Sequence, residues 1–196
     1  MSMNSVANRF GILACVSVVN RQIMKAVILF LLVALSENLY AQTIYDSLQI
    51  DGRYRTFVYN QPKVNNPGGS LVFILHGSGG NGTGMMKSAN KLSQHVANEN
   101  VVLVYPDGYK RYWNECRKAA SSLANQENIN EEAFFTSMID YFKRKYLISD
   151  QKVFAVGTSG GGHMCYKLAL TMPGKFRAVT ALIANLPDDD NMDCVE

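Results

Sequence analysis

From residue 44 to residue 184 the apolar positions switch between short unbroken runs and a helical spacing. Ile44–Ile50 and Arg53–Tyr59 read as two strands joined at Asp51-Gly52, a dipeptide suited to a two-residue hairpin turn. Pro62–Ser70 is rich in Pro, Gly and Asn and reads as a loop. Leu71–Leu75, Val101–Tyr105, Val153–Val156 and Ala178–Ala184 are continuous apolar runs, as expected of strands covered on both faces. Between them lie three helical patterns. Met85, Ala89, Leu92 and Val96 mark the first, and Phe135, Met138, Phe142 and Tyr146 the second, over Glu131–Tyr146. Met164, Cys165, Leu168 and Met172 mark the third, which stops at Pro173-Gly174. Strands alternating with helices predict an α/β fold: a mostly parallel sheet, helices on both faces and an antiparallel hairpin at one edge.

Residues 1–41 break this pattern. Ala26–Leu35 is a run of ten apolar residues, preceded by Arg21 and Lys25 and followed by Leu39-Tyr40-Ala41. That is the layout of a secretory signal peptide with cleavage after Ala41. Met24-Lys25 is a natural start for it. An uncleaved anchor is the weaker alternative, because a span needs about 20 residues. The expected division is a leader over 1–41 and a domain over 42–196, with the mature protein secreted or periplasmic and without a stable membrane span.

Removing the leader lowers the formal net charge from +3 to +1, which gives no basis for a nucleic-acid surface. Three cysteines remain, Cys116, Cys165 and Cys194. Export permits a disulfide. Cys165 falls on the inner face of its predicted helix, which leaves Cys116–Cys194 as the preferred pair; three buried thiols is the alternative.

Candidate chemistry centres on Gly157-Thr158-Ser159-Gly160-Gly161. This G-x-S-x-G sequence follows an apolar strand and opens a helix, the context of a nucleophile elbow. Ser159 is the expected nucleophile. A side chain at Gly157 or Gly161 would collide with neighbouring backbone. Developing negative charge needs two N–H donors. Gly160 supplies one, and Ser78 the other, from the loop His76-Gly77-Ser78-Gly79-Gly80 after an earlier strand. Trp113 and Asn114, in a long polar loop, are candidate pocket residues with His76, Gly77 and His163.

A rival reading uses the same loop. Gly77, Gly79 and Gly82 match the dinucleotide fingerprint G-x-G-x-x-G, with Glu99 or Asp107 as the later acid. It leaves the Ser159 elbow unexplained. Otherwise no metal or cofactor is implied.

A serine nucleophile also needs a histidine base and an acid. The chain has three histidines. His76 adjoins the glycine loop and reads as its structural partner. His95 falls on the solvent side of a helix. His163 is one turn beyond Ser159 on the same helix and reads as pocket lining or helix surface. None is placed as a base. Only 35 residues follow Gly161.

Leu71–Gly80, Tyr105–Gly108 with Trp113-Asn114, and Gly157–Gly162 together resemble the secreted esterases of the polyhydroxybutyrate depolymerase and feruloyl esterase group. The likeness covers about residues 45–190. It implies an α/β-hydrolase fold, an acyl-enzyme on Ser159 and an oxyanion hole from the Ser78 and Gly160 backbones. It implies as substrate a hydroxyalkanoate polymer or oligomer, or an aryl ester on polysaccharide. The group places its acid and its histidine on later segments, so the chain is expected to be an N-terminal part of such a domain. A non-catalytic ligand-binding relative is the alternative. The group's paired aspartates before the second helix are replaced here by Asn130-Glu131-Glu132.

Overall fold

The computed structural model describes residue 21 and residues 23–28, 43–96 and 98–194. The chain divides into two compact units, Met1–Tyr40 and Ala41–Glu196. In the first unit, residues 21 and 23–28 are helical; the rest of the expected leader, with residues 29–35 of its apolar run and its cleavage position, lies outside the described residues. Among the described residues no helix is long and apolar enough to cross a membrane.

The second unit is built on a six-stranded sheet. Its strands are β1 (Thr43–Ile50), β2 (Arg53–Asn60), β3 (Gly69–Leu75), β4 (Val101–Pro106), β5 (Ile148–Thr158) and β6 (Ala178–Leu182). Their spatial order is β1-β2-β4-β3-β5-β6. β2 is antiparallel to both β1 and β4, and the other neighbours run parallel. Asp51 and Gly52, at φ 49° and 76°, form the hairpin turn between β1 and β2. Two positive φ angles in succession match the right-handed twist of the strands they join.

The described residues of this unit also form the helices α1 (Gly82–Ser88), α2 (Asn90–His95), α3 (Leu123–Gln126), α4 (Glu131–Tyr146) and α5 (Gly160–Thr171). Alternation along the strands divides the core. Phe57, Leu71, Phe73 and Leu75 share one cluster with Phe134, Phe135 and Met138 of α4 and Met164 and Leu168 of α5. Val58, Ile74, Leu103 and Tyr105 form the other, against Met85, Met86 and Ala89. Each fully buried Phe or Leu contributes about 1.5–3 kcal/mol. α4 is also well capped. Asn130 accepts from the Ala133 N–H, Glu131 and Glu132 stand in the first turn, and Lys143, Arg144 and Lys145 in the last. These charges complement the helix dipole.

Two expectations are corrected. The first helical pattern is two helices, broken at Ala89, whose N–H caps α1 by donating to the Met85 carbonyl. Polar contacts anchor α2: the Ser93 hydroxyl lies 3.3 Å from Asn60 Oδ1 and 3.1 Å from the Tyr105 hydroxyl. Leu92 consequently turns out to solvent and is 40% exposed. β6 is also not a buried strand. It has a sheet neighbour on one side only, and Ala178, Thr180 and Leu182 are exposed. Ile183, at φ 54°, ends it in the left-handed region.

Candidate active site

β5 runs directly into α5 through Ser159, which sits at φ 53°, ψ −118°. A non-glycine residue in that region is strained. Hydrogen bonds and close packing hold it there. The Ser159 N–H donates to the Leu182 carbonyl at 2.8 Å, and the Ser159 carbonyl accepts from the His163 N–H at 3.0 Å. The turn is also too tight for side chains. A Cβ on Gly157 would lie 2.0 Å from the Gly161 oxygen, and one on Gly161 would lie 2.6 Å from the Leu75 oxygen. Ser159 is exposed, and its hydroxyl has no hydrogen-bond partner among the described residues.

Ser78 lies beside this turn. A Cβ on Gly160 would come 2.5 Å from the Ser78 hydroxyl and 3.0 Å from the Ser78 nitrogen. The Ser78 N–H donates to no acceptor among the described residues. Gly160 is the first residue of α5, where a backbone N–H has no intrahelical partner. The two donors predicted for an oxyanion are therefore adjacent, at a helix N-terminus that favours negative charge.

The loop carrying Ser78 is fixed from the β4 side. The Gly79 N–H donates to the Arg111 carbonyl at 2.9 Å, and the Trp113 indole N–H to the His76 carbonyl at 2.9 Å. His76 is buried. Its Nδ1 lies 2.7 Å from the Gly77 carbonyl, and its Nε2 accepts from the Gly108 N–H at 3.0 Å. This pair of contacts selects the Nδ1–H tautomer and occupies both nitrogens. Burial, the largest influence, lowers the His76 pKa; the Gly77 carbonyl and Asp107 oppose it, and Arg111 reinforces it. His76 is a brace for the loop.

Neither of the remaining histidines is hydrogen-bonded to the serine hydroxyl. His95 is exposed on α2. His163 is buried at 8% exposure, so its expected place on the helix surface is corrected, and its Nδ1 has no partner among the described residues. Burial and then Arg117 lower its pKa, against Glu115 and the Asn185 backbone. The groups that act on it, Arg117, Glu115 and the Asn185 backbone, belong to the pocket loop and to the segment after β6.

A pocket of about 380 Å³ opens beside the paired donors. Ser78, Gly160 and Trp113 line it, as do Glu115, Arg117 and Asn125. His76, Gly77, Asn114 and His163 do not. Asn114 is instead a buried connector. Its amide donates to Asn128 Oδ1 and the Ile129 carbonyl, and its N–H donates to Glu131. Glu115 and Arg117 carry no sequence signal; they enter because a disulfide between Cys116 and Cys194, with Cα atoms 5.1 Å apart, pins the residue between them. Asp193 N–H to Cys116 O and Lys118 N–H to Asn191 O continue that attachment.

The N-terminus of α1 does not suit a pyrophosphate. The Gly82 N–H already donates to Asp107 Oδ1 and the Gly84 N–H to Asn81 Oδ1, both at 2.7 Å. A carboxylate thus occupies the place a phosphate would take, and the dinucleotide reading of Gly77, Gly79 and Gly82 is not supported. Among the described residues no group of three or more His, Cys, Asp or Glu is placed to hold a metal ion.

No family model matches the chain. It is 28% identical over 142 residues to an acetylxylan esterase of Coprinopsis cinerea, covering 67% of this chain and 37% of that protein. It is 28% identical over 140 residues to a probable feruloyl esterase C of Aspergillus niger, covering 68% and 47%. The chain thus spans less than half the length of these curated relatives. Among solved structures, a thermostable esterase superposes with a TM-score of 0.60 at 16% identity, over 76% of this chain and 42% of that one. The acetyl xylan esterase from Aspergillus awamori gives 0.54 at 18%, over 70% and 53%. The sheet order, the helices on both faces and these superpositions make the fold of the second unit that of the α/β-hydrolases.

Proposed function

We propose that this protein is a serine carboxylic-ester hydrolase in which Ser159 is the nucleophile. The observation that supports it best is the strained, exposed Ser159 beside the two unclaimed N–H groups of Ser78 and Gly160. The Ser159 hydroxyl oxygen attacks the ester carbonyl carbon as a base takes its proton. The carbonyl oxygen becomes an oxyanion held by the two N–H groups. The intermediate collapses, the C–O bond to the alcohol breaks, and the base returns the proton to the leaving alkoxide. Water then releases the acid from the acyl-enzyme by the same route.

This reading needs a histidine other than His76, His95 and His163. The relatives' names favour acetyl or feruloyl esters on polysaccharide as substrates, and the group resemblance adds hydroxyalkanoate esters. The apolar run after Arg21 and Lys25, together with the Cys116–Cys194 disulfide, supports a secreted or periplasmic location.

The test is acylation by nitrophenyl acetate, followed by mass spectrometry of the peptide containing Ser159. An oxyanion hole retains part of its effect without a complete triad. The expected result is a slow acetyl gain on Ser159, absent in Ser159→Ala. Nitrophenol release that is unchanged in Ser159→Ala would overturn the reading. A second reading is a protein that binds the ester without turning it over; saturable binding with no acylation would select it.

A further inference from the structure

Three ion pairs cancel most of the charge between β2 and the pocket. Arg53 meets Glu127, Arg55 meets Glu131 and Arg117 meets Glu115. Asp107 is engaged as well, accepting from the Gly82 N–H and the Thr56 hydroxyl. Lys110 and Arg111 are left over. Both are exposed, and neither side chain has a hydrogen-bond or ion-pair partner among the described residues.

The backbone that carries them is strained. Lys110 and Arg111, at φ 49° and 74°, are the central pair of a turn closed by the Tyr109–Tyr112 bridge, where the Tyr112 N–H donates to the Tyr109 carbonyl at 3.0 Å. Two positive φ angles in a two-residue turn favour Asn-Gly. Side chains as long as Lys and Arg are costly there, and such strain collects at ligand clamps. The surroundings enforce it. A Cβ on Gly108 would lie 2.5 Å from the Tyr112 oxygen, and the Tyr109 hydroxyl donates to Glu127 at 3.0 Å.

This turn is joined to the loop that presents Ser78. The Arg111 carbonyl accepts from the Gly79 N–H at 2.9 Å, one residue beyond Ser78, and Tyr112 lines the pocket. The Arg111 charge reaches the buried His76 ring behind that loop and helps to lower its pKa. Lys110 lies instead over the Tyr109 ring, with Nζ 5.9 Å from the centroid. A guanidinium is a planar double donor that matches a carboxylate, and an uncompensated cation at a cleft mouth concentrates anions there. We infer that Arg111 is an anion-binding contact at the mouth of the active site, so that the preferred ester carries a carboxylate a few bonds from its scissile carbonyl, with Lys110 adding to the field. The inference rests on the ester-hydrolase reading for the ester, and on the turn alone for the anion.

Trp113 is the single tryptophan of the chain, and its indole N–H, bonded to the His76 carbonyl, gives one NMR cross-peak two residues from Arg111. The first arm titrates the ¹⁵N-labelled full chain with glutarate and with uncharged glutaramide. The expected result is a saturable shift of the indole peak by glutarate alone, fading toward about 1 M salt, where screening shortens to about 3 Å. Arg111→Gln should weaken glutarate binding by about tenfold, the loss of one hydrogen bond to a charged group, and Arg111→Lys by less. Should Arg111→Gln disturb the turn, Lys110→Asn with Arg111→Gly supplies the pair that the turn favours and removes both charges; it should melt no lower and bind no glutarate. The second arm follows acylation of Ser159 by mass spectrometry. It compares mono-nitrophenyl glutarate with nitrophenyl valerate, and acetoxybenzoate with its methyl ester. At least one carboxylate-bearing ester should react about tenfold faster than its uncharged partner, a preference that Arg111→Gln removes. No saturable glutarate shift, an equal shift by glutaramide, or wild-type glutarate affinity in both Arg111→Gln and the double variant would overturn the inference. Acylation of Ser159 with no preference for charge would remove the anion contact and leave the esterase standing; glutarate binding lost with Arg111, but no acylation by any ester, would do the reverse.

Discussion

Arg55 Nη2 meets Glu131 Oε2 at 2.9 Å with both side chains buried, which joins β2 to the first turn of α4. Arg55 also reaches the Asp107 carbonyl at 3.3 Å and stacks over Phe134, while Glu131 Oε1 accepts the Asn114 N–H. The pair therefore holds the loop that builds the pocket. Breaking it from one side leaves an uncompensated buried charge, at a cost of about 3–5 kcal/mol. Urea unfolding should show that loss for Arg55→Met. The double change Arg55→Met with Glu131→Leu should recover part of it, since no buried charge is left unpaired, although the Asn114 N–H and the Asp107 carbonyl each lose a partner. A double variant as unstable as the single one would contradict this.

Acid should weaken the fold through two histidines. His76 and His163 both titrate below the ordinary value of 6.5, chiefly because burial disfavours the imidazolium. The unfolded chain therefore binds more protons in this window, and stability rises with pH there. Their contribution is complete above pH 6.5 and is lost as pH falls toward their lowered folded values. Urea melts between about pH 7.5 and pH 5 should show this slope. His163→Phe removes one titrating group while keeping an apolar ring, so its slope should be shallower. An unchanged slope would place the titration elsewhere.

Local patterns make the sheet and the elbow legible in the sequence. The Asp51-Gly52 turn, the apolar runs and the helical period of α4 each act over a few residues. Ser159 and Ser78 are legible for the same reason, since a tight turn and a close approach demand glycines around them. The pocket walls are not. Glu115 is buried only because Arg117 follows it on a loop held by Cys194, and no local signal marks a carboxylate for burial. Asn114 beside Trp113 reads as a pocket residue, yet its amide is consumed by the Asn128–Ile129 segment. The exposure of β6 depends on sheet order, which an apolar run does not encode.

The disulfide should be both stabilising and structural for the pocket. It closes a loop with a sequence separation of 78 residues. Chain entropy alone predicts a stabilisation of about 4.5 kcal/mol for a loop of that size. The Cys165 thiol is buried and its pKa is pushed up to about 12, so it should not exchange with the pair. The full chain has four cysteines, so denatured protein should show two free thiols before reduction and four after. Reduction should lower the melting temperature and broaden the Trp113 indole peak. Four thiols without reduction would contradict the bond.

Ser159 itself should be a site where stability is given up. Its φ of 53° with ψ −118° is costly for any residue with a Cβ, by about 1–3 kcal/mol. Ser159→Ala keeps the Cβ and should leave the melting temperature nearly unchanged. Ser159→Gly removes the clash but adds unfolded-state entropy of about 0.5–1 kcal/mol. The net expectation is a gain of about 1 kcal/mol for glycine over alanine, read from urea midpoints at constant slope. Neither variant should accept an acetyl group. A glycine variant less stable than alanine would mean that the surrounding turn does not force the angle. The strain would then not be an adaptation for presenting the hydroxyl.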